Sequence, residues 1–310
     1  MTTTVPGTKA AFAADHDAPI PYMQRTRDYY QVLGFSPYRW AHFADVPFTP
    51  LRVPLARARV TLITTAAPFQ PGVGDQGPGA AYNAAAKFYQ VYSMPTEAVP
   101  DLRISHVGYD RLHTTAADIN TYLPLAELQA AAAAGRIGAL GPRLHGAPTN
   151  RSHRVTMETD VPELLQRCRE DGADAVVLVP SCPVCHQTVS LAARHLEQHG
   201  IPTVIMGCAK DIVELCGVPR FLFSDFPLGN SAGRPFDLES QRLTLELALR
   251  VLESAPAART TVQSPLRWSE DARWKCDYLD LTKLSPDKIA ERKKEFDEVK
   301  SIARAKREAS

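Results

Sequence analysis

Two rhythms of apolar residues alternate along this chain. Continuous apolar runs, rich in β-branched residues, predict strands buried on both faces over 59–65, 102–106, 137–140, 174–180, 201–206 and 220–224. Between them, apolar residues recur every three or four positions and predict helices over 21–34, 124–134, 161–171, 188–199, 211–216, 239–255 and 285–309. Glycines close five of these segments (Gly34, Gly135, Gly172, Gly200, Gly217), as expected where a helix ends in the left-handed region. The last segment opens with Ser285 and Pro286 but carries only a thin apolar line, Ile289, Phe296, Val299 and Ile302. That line predicts a surface helix, or one lying against a second subunit.

Strands alternating with helices predict an α/β fold with mostly parallel sheets. The clustering of the units predicts two Rossmann-like (flavodoxin-like) lobes with a cleft between them, over 50–154 and 155–256. An N-terminal arm and aromatic segment (1–49) would precede them, with a loose arm over 1–20. A linker and charged C-terminal surface helix (257–310) would follow. The Pro/Gly-rich stretches 66–79 and 226–235 predict loops, the first suited to cover a site. The aromatic run around Tyr38–Phe43 is expected to pack against the body of the fold.

Composition narrows the class of function. With a net charge of +1, 45% hydrophobic and 22% charged residues, the chain offers no basic field for nucleic acid. No apolar run reaches the ~18–20 residues that span a bilayer, and the first residues lack a basic-then-apolar order. A cytoplasmic location is the expectation, without nucleic-acid or membrane partners. Six cysteines (168, 182, 185, 208, 216, 276) in such a chain point to catalytic, redox or metal chemistry for the close pair rather than to a disulfide framework. Cys168 and Cys208 read as small apolar residues.

That pair, Cys182 and Cys185, stands at the end of the 174–180 strand and just before a helix. Parallel sheets keep their ligand sites at this edge, and unpaired N–H groups with the helix dipole stabilise a thiolate there. His186 is placed to hydrogen-bond a thiolate or supply a proton. A zinc site through Cys182, Cys185 and His186 is an alternative, though a lone CxxC is half of a structural site. A second polar cluster, His106, Asp110, His113, Asp118 and Asn120, follows another strand and reads as a substrate or proton-shuttle wall, or as an ordinary polar loop. Thr64 and Thr65 end the first strand and offer hydroxyls. Arg234 in the second glycine loop is a candidate for a substrate carboxylate.

At these residues the chain resembles a known family. The segments Tyr38–His42, Asp45–Pro50, Thr61–Thr65, Ser105-His106 through Asn120, Leu123–Leu128, Pro180–Gln187 and Gly200–Val204 resemble the glycine/sarcosine/betaine reductase selenoprotein B and D-proline reductase family. The likeness covers most of 22–255 and leaves out the charged tail. It implies that Cys182 stands at the family's selenocysteine position and attacks the substrate, while Cys185 resolves. It also implies reductive C–N cleavage, an external thiol or dithiol reductant, no bound cofactor, and a redox or pyruvoyl-type partner protein.

The expected function is therefore a thiol-dependent reductase acting on a small carboxylate- or amine-derived substrate. Cys182 and Cys185 are its reactive pair, with His186 and His106 as proton-transfer candidates. Thr64, Thr65, Asp110, His113, Asp118, Asn120 and Arg234 are its substrate-binding candidates. Two alternatives stay open: a racemase- or isomerase-like cysteine acid–base enzyme, and a non-catalytic zinc-binding subunit. A homodimer is expected from the tail helix and aromatic segment.

Overall fold

The computed structural model describes residues 15–309 of the chain, so residues 1–14 of the expected arm lie outside the described residues. In chain order the elements are helix α1 (Tyr22–Val32), strands β1 (Arg59–Thr64), β2 (Ala67–Pro68), β3 (Tyr92–Pro95) and β4 (Leu102–Arg103), and helix α2 (Leu125–Ala133). Strands β5 (Ala139–Leu140) and β6 (Arg143–Gly146) follow, then a short α3 (His153–Val155) that passes through a π-turn (Thr156–Asp160) into α4 (Val161–Glu170). The rest is β7 (Ala175–Val179), α5 (Pro183–Gln198), β8 (Thr203–Gly207), α6 (Lys210–Cys216), β9 (Arg220–Phe223), α7 (Leu238–Ser254), β10 (Thr260–Gln263) and α8 (Pro286–Ala309).

Among the described residues, seven strands line up in the order β10-β9-β8-β7-β1-β6-β3, with β5 also on β1. All pairings in this sheet are parallel except β3 on β6. The fold is thus α/β with a mostly parallel sheet, but the two expected lobes share that sheet. β1, from the first strand cluster, pairs with β7, from the second, along its length from Val60↔Ala175 to Thr64↔Val179. The physical reason is hydrophobicity. β1 and β7 are both buried on both faces, so each lowers its exposed apolar area most at the centre of one sheet.

Alternation divides those strands between two cores. Val60, Leu62, Ala175, Val177 and Val179 face α2 and α7 through Leu125, Leu128, Leu245 and Leu249. Ile63, Val176 and Leu178 face α4 and α5 through Leu164, Cys168, Val189 and Leu196. Helices therefore cover both faces. The stretch expected as a strand over 102–106 is extended only at β4, which pairs with β2 outside the main sheet. β3, β6 and β10 were not apparent as strands, being short and only partly apolar.

The N-terminal aromatic segment packs on the body of the fold as expected, with Tyr38 on the cysteine pair and Phe43 near Leu191. In α8 Phe296 meets Tyr30 and Phe35, while Ile302 is exposed. The side chain of Val299 lies outside the described residues. Among the described residues no helix is long and apolar enough to cross a membrane.

Candidate active site

The chain leaves β1 toward β6 on one side and leaves β7 toward β8 on the other. The gap between the carboxyl ends of β1 and β7 is therefore the topological switch point, where parallel sheets hold ligands. Thr64-Thr65 stand at one side of it and Ser181-Cys182 at the other. The Thr65 hydroxyl accepts the Ser181 N–H at 3.0 Å and lies 3.2 Å from the Ser181 hydroxyl, closing the gap. Thr64 points into the core, donating to the Tyr122 carbonyl and accepting from Ala66 N.

Helix α5 begins at Pro183, earlier than the expected Thr188. Proline at the first helical position has its backbone angle already set, and Cys182 supplies the cap. Cys182 is extended (φ −147°, ψ 172°), and its sulfur accepts the Cys185 N–H at 3.2 Å. Cys185 consequently sits in the first turn, its Cα 4.9 Å from that of Cys182, and the two sulfurs are joined as a disulfide. Once reduced, the Cys182 sulfur faces the amino end of a 16-residue helix, which favours its thiolate. Cys182 is 5% exposed and Cys185 fully buried. The Thr149 hydroxyl lies 3.2 Å from the Cys185 sulfur.

His186 is directed away from the sulfurs. Its Nδ1 is 2.7 Å from the Cys182 carbonyl, and its Nε2 accepts from Cys208 N at 2.9 Å and Ala209 N at 3.2 Å. Those partners define a neutral ring with the proton on Nδ1, and burial pushes its pKa down to about 4. The expected thiolate-bonding role is replaced by a positioning one: the ring ties the Cys182 turn to the start of α6. It also leaves no nitrogen for zinc, so the set Cys182, Cys185 and His186 does not fit that metal. Among the described residues no group of three or more His, Cys, Asp or Glu is arranged to hold a metal ion.

The second polar cluster divides. Its loop closes on the cysteine turn through two glycines: a Cβ at Gly108 would lie 2.5 Å from Pro183 Cδ, and one at Gly229 (φ +107°) would lie 2.2 Å from the Tyr109 ring. His106 is buried beside this contact, with no hydrogen bond to Nδ1. Burial, with Lys87 and Arg111 nearby, pushes its pKa down to about 3. Asp110 is buried and accepts from Leu112 N, while His113 bridges Asp110 (2.9 Å) and Asp277 (3.2 Å).

Asp118 serves the fold, accepting from Asn120 N, Phe236 N and the Gln241 amide. Asn120 contributes its backbone N–H to that cap. Arg234 is neutralised by Asp237 at 2.7 Å, which removes the free charge a substrate carboxylate would need. Sequence reasoning did not single out Thr149, Gln187 or Tyr38. Gln187 accepts Ala41 N and bonds the Tyr38 hydroxyl and His153, drawing the aromatic segment over the pair. Only Gln187 had a local signal, as it stands beside the cysteines.

No family model matches the chain, and no solved structure matches it. It is similar to the D-proline reductase subunit gamma of Acetoanaerobium sticklandii, 30% identical over 172 residues, which cover 55% of this chain and 71% of that relative. With that identity over that share of the relative, the chain belongs to the selenoprotein B and D-proline reductase family.

Proposed function

We propose that the chain is a thiol-dependent reductase subunit whose reactive pair is Cys182 and Cys185. The observation that carries this reading is the Cys182 sulfur at the amino end of α5, within bonding distance of Cys185. The kinship with a D-proline reductase subunit supports the reaction class.

In the proposed reaction the Cys182 thiolate attacks the carbon that bears the substrate nitrogen. An S–C bond forms, the C–N bond breaks, and its electron pair stays on nitrogen, which takes a proton. The Cys185 thiolate then attacks the Cys182 sulfur. A disulfide forms, and the electron pair of the S–C bond passes to carbon, which takes a second proton. The net change is two-electron reduction of a C–N bond to C–H and N–H at the expense of one dithiol, which an external dithiol regenerates. A pyruvoyl-type partner protein would supply activation of the amine. Thr65, through Ser181, holds the attacking turn against β1, and Thr149 is placed to hydrogen-bond the resolving sulfur.

The test uses D-proline with dithiothreitol and the isolated partner protein. Cys182→Ser should lower turnover by about 10³-fold or more, while Cys185→Ser accumulates a substrate adduct visible by intact mass. Turnover by Cys182→Ser at the normal rate would remove the mechanism.

A further inference from the structure

The two sulfurs of the reactive pair differ in what surrounds them. Cys182 caps α5, keeps a little exposure, and its sulfur accepts the Cys185 N–H. Cys185 is fully buried, and its sulfur faces the Thr149 hydroxyl at 3.2 Å. Among the described residues no charged side chain bonds either sulfur, since His186 is turned to the Cys208 and Ala209 amides.

Thr149 follows β6 and is held from both sides. Ala147 N donates to the Thr64 carbonyl at 2.8 Å, which ties the segment to the end of β1. The Asn150 amide donates to Asp160 at 2.8 Å and to the Tyr89 carbonyl at 3.4 Å. Three strand ends thus converge on the cysteine turn: β1 through Thr65, β7 through Ser181 and β6 through Thr149. Thr149 is buried, and among the described residues its hydroxyl bonds nothing but the Cys185 sulfur. A sulfur within a disulfide carries no hydrogen, so in this pair the hydroxyl is the donor.

We infer that the external dithiol reduces the pair by entering at Cys182, and that Thr149 receives Cys185 as the leaving thiolate. That the dithiol must be regenerated at all rests on the reductase reading above. A thiolate of the reductant attacks the Cys182 sulfur, the more accessible of the two. A bond forms between those sulfurs, the Cys182–Cys185 bond breaks, and its electron pair passes to Cys185. The Thr149 hydroxyl donates to the new thiolate, which burial would otherwise disfavour. The second thiolate of the reductant then attacks its own sulfur in the mixed disulfide. The reductant closes its disulfide and Cys182 leaves as a thiolate at the amino end of α5, so two electrons pass to the pair. Cys182 is thus the sulfur that meets outside reagents in both halves of the cycle, and Cys185 the one exchanged within the chain.

The test reduces the disulfide form of the full chain, without substrate. Wild-type protein is treated with glutathione, and the thiol set free is capped with iodoacetamide. Fragment masses should place glutathione on Cys182 and the cap on Cys185; the reverse placement, or an even mixture, would overturn the entry point. Thr149→Val keeps the shape of the side chain and removes the hydroxyl, so reduction by dithiothreitol should slow by about fivefold or more. In a Cys182→Ser background the same change should raise the titration of Cys185, followed by ultraviolet absorbance, by about one pH unit. Thr149→Ser, which keeps the hydroxyl and loses a methyl group, should reduce within about twofold of the wild-type rate. Equal rates in wild type and Thr149→Val, an unmoved Cys185 titration, or a Thr149→Ser as slow as Thr149→Val would each remove the role of the hydroxyl. None of these measurements involves a C–N bond, so they can fail while the adduct test of the cleavage reaction succeeds, and the reverse. The glutathione mapping needs no variant and stands even if Thr149→Val fails to fold.

Discussion

At the scale of single residues, position in the sequence and role in the structure part company at His186. It stands next to Cys185, yet its ring faces two backbone amides of the β8–α6 connection and one carbonyl of its own helix cap. With folded values near 4 for His186 and near 3 for His106, both rings should stay neutral above about pH 5. Nitrogen-resolved NMR should show no titration of either ring near 6.5, and His186 as the Nδ1–H tautomer. The sign for stability follows from the same shift. The folded value lies below the unfolded one, so the contribution of His186 is complete above about 6.5 and is lost as pH falls toward about 4. A His186 resonance titrating near 6.5 would contradict the assigned hydrogen bonds. The CxxC was legible as chemistry because spacing alone brings its sulfurs together. The role of its histidine was not, because the partners are Cys208 and Ala209, far along the chain.

At the scale of elements, α5 fastens several distant segments to the site. Its cap is Cys182, and Gln187 fastens the aromatic segment. Arg194 donates to the Asp45 and Gly217 carbonyls, and Glu197 ends the series. Glu197 is paired with Arg220 at 2.8 Å, both side chains almost wholly buried, and it also accepts from Thr49 N and Thr203 N. The Arg220 guanidinium lies 4.2 Å from the Phe48 ring centroid. Truncating one partner leaves the other charge buried, so Arg220→Ala should lower stability by about 3–5 kcal/mol in denaturant titration. The double variant Arg220→Ala/Glu197→Ala should cost less than the sum of the two single changes. Additive losses would mean that the pair is not coupled. Sequence periodicity placed this helix but not its start, since Val184 to Gln187 carry no amphipathic pattern. Pro183 and the Cys182 cap mark the start instead.

At the scale of the whole molecule, the strand clusters 50–154 and 155–256 meet in one sheet through the β1–β7 ladder. Neither half keeps its central strand paired on both sides without the other. Thermal unfolding should therefore be a single transition, with calorimetric and van't Hoff enthalpies in agreement, and neither half should fold when expressed alone. Two separated transitions would restore independent lobes.

What the sequence by itself determined is the kind of elements and where the chemistry lies. Apolar runs at β1, β7, β8 and β9 must be buried, and a dithiol at a strand end must face a helix terminus. These are local properties, set by period and spacing. Only the tertiary structure decided that β1 slots beside β7, that Glu197 pairs with Arg220, and that the His186 ring turns to the Cys208 and Ala209 amides. Strand order and charge pairing depend on residues distant in the chain that compete for the same partner, and no local pattern records which of them wins.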